Sequence, residues 1–170
     1  MRRVLPFCRA EDRALLEKRI ASCGRAITEH YWDAATGSFC GGVQGADAFA
    51  VDLGLGDGRA FDNLVERYTA SGAYDTGIFG TDILTRVLFE RGCGELAFRL
   101  LTGKGPYSYA NWMRQGATTL WEYWTGKRSH SHPMFGAVTR YLFQYILGIR
   151  QTPESAGFRS ILVAPAHIRQ

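Results

Sequence analysis

The stretch GATTLWEYW, Gly116 to Trp124, places a single carboxylate, Glu122, among Trp121, Tyr123 and Trp124. Aromatic company desolvates a charge, so such a group is usually paired or put to use. Glu122 is also solitary by sign. Fourteen of the 16 acids lie at or before Glu95; beyond it only Glu122 and Glu154 remain, against nine Lys and Arg. Arg114, Lys127 and Arg128 lie close in sequence, and nearby cations would hold a carboxylate ionised. On composition alone, however, a solvated helix residue is the first reading of Glu122. His130 and His132 follow in SHSHPMFG. As a metal pair they lack a third ligand, so neither metal nor cofactor is expected. Trp112, in YANWM, offers a further flat ring that suits either a ligand face or a packed core. Trp121 and Trp124 share that property, but for them core packing is the first expectation.

Helices must position these groups. From Glu11 to Tyr31, Leu16, Ile20, Cys23, Ile27 and Tyr31 fall at steps of four, three, four and four, a helical stripe. After the glycine-rich DAATGSFCGG, the segment QGADAFAVDLGL puts Ala46, Phe49 and Leu53 on one face and stops at Gly54 and Gly56. RAFDNLVERYTASG repeats the pattern through Phe61, Leu64, Val65 and Tyr68. TDILTRVLFERG suggests Thr81 as an N-cap, with Leu84, Val87 and Leu88 inward and Gly92 as the stop. GELAFRLLTG is a short helix. YSYANWMRQGATTLWEYW reads as two helical pieces meeting at Gly116, the second carrying Glu122 with Thr118 on the same face. HPMFGAVTRYLFQYILG starts at Pro133, continues through Met134, Val138, Tyr141, Leu142 and Tyr145, and stops at Gly148. The tail AGFRSILVAPA looks like one strand. About seven modest helices on short loops imply an all-α array of antiparallel hairpins.

Composition narrows the function classes. The chain has 170 residues, 46% hydrophobic, enough for a packed core. The net charge of +4 comes from scattered side chains, and a nucleic-acid footprint needs a patch or stripe. No stretch is long and apolar enough for a membrane span, and MRRVLPFC is too short to be a signal peptide. Cys8, Cys23, Cys40 and Cys93 show no metal-ligand spacing and read as free buried thiols in a reducing, cytoplasmic setting.

Taken together, GATTLWEYW and SHSHPMFGAVTRYLFQYILGI resemble the C-terminal half of the catalytic domain of bacterial α-L-rhamnosidases, glycoside hydrolase family 78. YDTGIFGTDILTRVLFERG fits that family's glycine-threonine helix start, and YWDAATGSFCGGVQGADAFAVDLGL resembles its preceding Gln-containing helix. GFRSILVAPA resembles the first strand of the following β-domain. The likeness runs in collinear order from about Glu11 to the C-terminus.

The resemblance implies about half of an (α/α)6 barrel over residues 1–150 and the start of a C-terminal β-domain over 151–170. It implies hydrolysis of terminal α-L-rhamnose with inversion, which needs two carboxyl groups roughly 6.5–9.5 Å apart. The Glu of the family's ATTxWE motif is the general base, here Glu122. His132 matches the histidine that contacts sugar hydroxyls, its alternative being to cap the Pro133 helix, and Trp112 lies where the family has an aromatic near the sugar. The family's general acid sits in an acidic motif of the first half, which does not occur here; Asp47, Asp52, Asp75 and Asp82 are substitutes only by elimination. Half a barrel would expose an apolar wall, which implies an upstream-half polypeptide or self-association. The competing expectations are a non-catalytic sugar-binding or remnant helical module, and an (α/α)6 glycosidase for another sugar.

Overall fold

The computed structural model describes residues 2–152, 155 and 157–166; Glu154 and the end of the tail lie outside the described residues. Seven α-helices follow in order: α1 Ala10–Tyr31, α2 Ala46–Leu53, α3 Gly58–Ser71, α4 Ile78–Glu90, α5 Gly94–Leu101, α6 Tyr109–Arg114 and α7 Thr139–Tyr141. Tighter 3-10 turns occupy Arg2–Phe7, Cys40–Gly45 and Pro133–Val138. A π-helical turn, Leu142–Ile146, extends α7. The expected all-α hairpin array is what forms.

Local chemistry explains most boundaries. Asp57 caps α3 by accepting from the Arg59 N–H at 2.9 Å, and Ser108 caps α6 by accepting from the Asn111 N–H at 3.1 Å. Gly72 ends α3 with φ of 61°. Pro133 opens its helical run as expected.

The core gathers α2, α3, α4, α5 and the Pro133–Val138 turn around Leu64, Tyr68, Leu84, Leu88, Leu100 and Phe135, all at 1% exposure or less. Burying each such leucine contributes about 1.5–3 kcal/mol. Arg140 clamps α7 to α4, donating to both carboxylate oxygens of Asp82 at 2.9 and 2.8 Å, while the Tyr141 hydroxyl donates to Asp82 at 2.8 Å.

Several faces differ from the sequence pattern. On α2 the inward side is Asp47, Ala48, Ala50 and Val51, while Phe49 and Leu53 are exposed. Asp47 is inward because its carboxylate accepts from the Ser38 hydroxyl and the Phe39 N–H, each at 2.7 Å, which satisfies a buried charge. The α1 stripe is at most half-covered, and α1 has no fully buried residue. Thr81 does not cap α4: the helix begins three residues earlier, and the Thr81 hydroxyl is buried against that of Thr76 at 2.8 Å. Cys23 and Cys40 are exposed, and Cys8 and Cys93 half-buried, so the four thiols are free but not buried. Met134 and Leu142 also face outward.

The strand read in the tail is Ile161–Val163 (β4). It pairs antiparallel with Ile149–Gln151 (β3), a strand the pattern did not reveal. A second small hairpin pairs Trp32–Asp33 (β1) with Ser38–Phe39 (β2). Among the described residues no helix is long and apolar enough to cross a membrane.

Candidate active site

Helix α6 stops at Arg114, Gly116 takes a left-handed φ of 78°, and no second helix follows. Glu122 therefore sits on a loop. Paired threonines and bulky aromatics are poor helix formers, and tertiary bonds hold the segment instead. The Glu122 N–H donates to the Ser129 carbonyl at 2.9 Å and the His132 N–H to the Leu120 carbonyl at 2.7 Å; the Thr119 hydroxyl donates to the His130 carbonyl. The loop turns back at Gly126, whose φ is 72° and where a Cβ would lie 2.7 Å from the Trp121 ring.

Beneath the loop lies an aromatic cluster. Trp112 is 2% exposed, and its ring centroid is 4.7 Å from that of Trp124 and 5.2 Å from that of Phe135. Its indole N–H donates to the Trp124 carbonyl at 3.0 Å. The Trp124 indole N–H reaches the Thr76 carbonyl at 2.7 Å, and its ring stacks on Tyr74 at 5.8 Å. Both indoles thus satisfy their single donor inside the protein.

Between this loop and the start of α4 opens a cleft of about 340 Å³. Glu122, Asp75 and Gln44 supply its polar wall. Trp124, Phe135, Tyr123, Ile78 and Phe79 supply its apolar surface, and Thr76 and Gly77 complete it. Glu122 is half-buried. Its carboxylate accepts from the Ser129 N–H at 3.3 Å, and among the described residues it joins no ion pair. Of the cations expected to attend it, Arg114 donates to the Lys104 carbonyl and Arg128 lies over the Tyr123 ring.

The candidate residues are only partly brought together. Glu122 borders the cleft. Trp112 lies behind it and props Trp124, so its position is one of packing rather than of direct exposure to a ligand. His132 begins the Pro133–Val138 turn, half-buried, without a side-chain cap bond and outside the cleft lining. His130 is exposed, stacks on Trp121 at 4.4 Å and bonds the Gly126 carbonyl at 2.8 Å. No group of three or more potential metal ligands occurs among the described residues.

Of the four substitute acids, Asp47 is spent on β2, Asp52 pairs with Arg86 at 2.7 Å and Asp82 pairs with Arg140. Asp75 alone borders the cleft, and its Oδ1 accepts from the Tyr68 hydroxyl at 2.5 Å. Burial, then the Asp75 hydrogen bond and charge, push the Tyr68 phenol far above its ordinary range. Gln44, which the pattern left unassigned beyond its place in a motif, is a non-glycine residue with φ of 46°, a conformation that marks a constrained position. A larger groove of about 1050 Å³ runs between α5 and the β3–β4 hairpin, but no candidate residue borders it.

Comparison with known proteins agrees with the helical fold. Residues 7–146 match the family model for the bacterial α-L-rhamnosidase six-hairpin glycosidase domain. An α-L-rhamnosidase of Formosa agariphila is 34% identical, the match covering 69% of this chain and 14% of that protein. One from Alteromonas sp. is 32% identical over 53% of this chain and 11% of its own length. The chain thus spans between a ninth and a seventh of these relatives. Among solved structures, α-L-rhamnosidase from Dictyoglomus thermophilum superposes with a TM-score of 0.81 at 23% identity, covering 98% of this chain and 20% of that one. Streptomyces avermitilis α-L-rhamnosidase in complex with L-rhamnose superposes with a TM-score of 0.80 at 25% identity, covering 91% and 16%. With four-fifths of its length inside the family model, the chain belongs to the bacterial α-L-rhamnosidase six-hairpin glycosidase domain family.

Proposed function

We propose that this chain carries the general-base side of a glycosidase site that releases terminal α-L-rhamnose from a rhamnosyl-containing glycoside with inversion of configuration. The reading rests on one observation above all: Glu122 borders a sugar-sized cleft lined by both aromatic and polar side chains. In an inverting reaction Glu122 takes a proton from the water that attacks the anomeric carbon, while a carboxylic acid on the opposite face protonates the departing oxygen. The exposed rings of Tyr123 and Phe79 in the cleft lining receive the C–H face of the sugar. His132, outside the cleft lining, would reach only hydroxyls that project beyond it, and Trp112 acts through Trp124.

The acid comes from outside this chain. Three of the four substitutes are tied to structural partners, and the matches cover only 11% and 14% of the relatives' length. Hydrolysis at full rate therefore needs the remaining hairpins of the barrel, and the exposed apolar side chains Tyr31, Val43, Phe49 and Leu53 form the face that receives them or a second copy. Residues 1–150 form the barrel portion and 151–170 the start of a β-domain. Free thiols fit a cytoplasmic setting. The absence of a committed acid also favours a second reading, a sugar-binding module without turnover.

The deciding experiment follows release of the aryl group from an aryl α-L-rhamnoside, by this chain alone and mixed with a polypeptide supplying the first half of the barrel. Turnover on mixing, lost in Glu122→Gln, supports the base. Full turnover with Glu122→Gln rejects it. Rhamnose binding by calorimetry without hydrolysis in either case selects the binding module.

A further inference from the structure

Asp75 faces Glu122's cleft from the turn before α4, on an exposed residue whose Oδ1 is held by the Tyr68 hydroxyl at 2.5 Å. Tyr68 is 1% exposed and its phenol is kept protonated by burial, so it presents a fixed donor to that oxygen. Among the described residues no donor is bonded to Oδ2. A carboxylate held through one oxygen at the border of a ligand-sized space, with its other oxygen unbonded, is a ready acceptor for hydroxyl groups, and such charge-assisted bonds are stronger than neutral ones.

The surroundings fit a pyranose. Gly45, next to Gln44, has φ of 78°, and a Cβ there would lie 2.8 Å from the Thr76 methyl and 3.6 Å from the Tyr68 oxygen. The Cys40–Gly45 turn is thus pressed against the Tyr68–Asp75 pair, which places Gln44 on the same wall. Gln44 offers both a donor and an acceptor there. The rest of the lining is largely apolar, with Ile78, Phe79 and Trp124 among it. At about 340 Å³ the cleft is at the lower end of ligand pockets, suited to one sugar ring.

We propose that Asp75, oriented by Tyr68, is the anchor for one ring hydroxyl of the sugar bound in this cleft and so sets its specificity. The proposal rests on the reading of the cleft as the rhamnosyl site. Asp75 binds the ring and Tyr68 positions Asp75; neither takes part in proton transfer.

The test titrates the 170-residue chain with L-rhamnose and with analogues lacking one ring hydroxyl, using calorimetry. Asp75→Asn is expected to weaken rhamnose binding about tenfold to a hundredfold, the range for a hydrogen bond to a charged group. Removing the anchored hydroxyl from the sugar is expected to weaken wild-type binding by a similar factor and to cost Asp75→Asn nothing further. Tyr68→Phe is expected to weaken binding by a smaller factor, with circular dichroism confirming that it folds. Wild-type binding with an unchanged Asp75→Asn overturns the anchor and leaves the sugar site standing. Loss in Asp75→Asn that is equal for every analogue also overturns it, because a merely structural effect would not single out one hydroxyl. No rhamnose binding by the wild-type chain overturns both the anchor and the sugar reading of the cleft.

Discussion

The indole N–H of Trp124 donates to the carbonyl of Thr76 at 2.7 Å, joining two segments 48 residues apart in sequence. That bond ties the loop of Glu122 to the turn of Asp75, and so fixes the spacing of the two cleft carboxylates. Trp124→Phe is expected to lower stability by about 1–3 kcal/mol, the cost of leaving a buried carbonyl without its donor. Urea unfolding read by circular dichroism measures it, and an unchanged midpoint would show that the loop is held by other bonds.

Glu122 should matter for chemistry and little for folding. Its side chain is half-buried and accepts one long bond, 3.3 Å from the Ser129 N–H. Glu122→Gln should leave the unfolding free energy within about 0.5 kcal/mol of wild type, as expected of a substitution away from the packed core. In the reconstituted barrel it should cut aryl rhamnoside turnover by about 10²–10⁴-fold, the usual contribution of a general base.

Asp47 should behave in the opposite way. It is 2% exposed and serves two donors from the β1–β2 hairpin. Asp47→Ala strands both donors in the interior and is expected to destabilise by about 2–4 kcal/mol, since each unsatisfied buried group costs about 1–3 kcal/mol. Thermal unfolding followed by circular dichroism tests this, and a melting point like that of wild type would contradict it.

Alkaline pH should unfold the chain through its buried phenols. Burial, with the Asp82 charge adding to it, has Tyr141 pushed up to about 12; burial also raises Tyr68, Tyr74 and Tyr109. An unfolded tyrosine loses its proton near pH 10, so between about pH 10 and 12 the unfolded chain holds fewer protons than the folded one. Stability is therefore fully present below pH 10 and falls as pH rises through that window. Urea midpoints at pH 9, 10 and 11 should decline in that order, and Tyr141→Phe should make the decline shallower. A flat profile would mean that these phenols ionise without unfolding.

Gly126 should resist substitution. Its φ is 72°, and a Cβ would meet the Trp121 ring at 2.7 Å. Gly126→Ala is expected to cost about 1–3 kcal/mol, from a strained backbone and a displaced indole. The near-ultraviolet circular dichroism of the tryptophans should change with it. An unaltered spectrum would place the loop's rigidity elsewhere.

What could be read from the residues and what could not divides along range of interaction. Helix positions in α1, α3 and α5 were legible because apolar spacing, caps and terminal glycines act within a few residues. The motif around Glu122 was legible as a resemblance, because a short run of residue types survives outside its fold. The loop state of that motif was not. Its aromatic spacing imitates a helical face, while bonds to Ser129, His130 and Thr76 decide its path. The inward turn of Asp47 was equally hidden, since a charge faces the core only where distant donors await it. Trp112 was open to either role until its neighbours enclosed it. Of the four candidate aspartates, Asp75 was set apart in the sequence only by its place before TGIFGTD. Arg86, Arg140 and the β1–β2 hairpin claim the others in space and leave it at the cleft. Local chemistry thus determined the helices and the family likeness, whereas the choice of which carboxylates confront a ligand belongs to contacts that only the folded chain brings within reach.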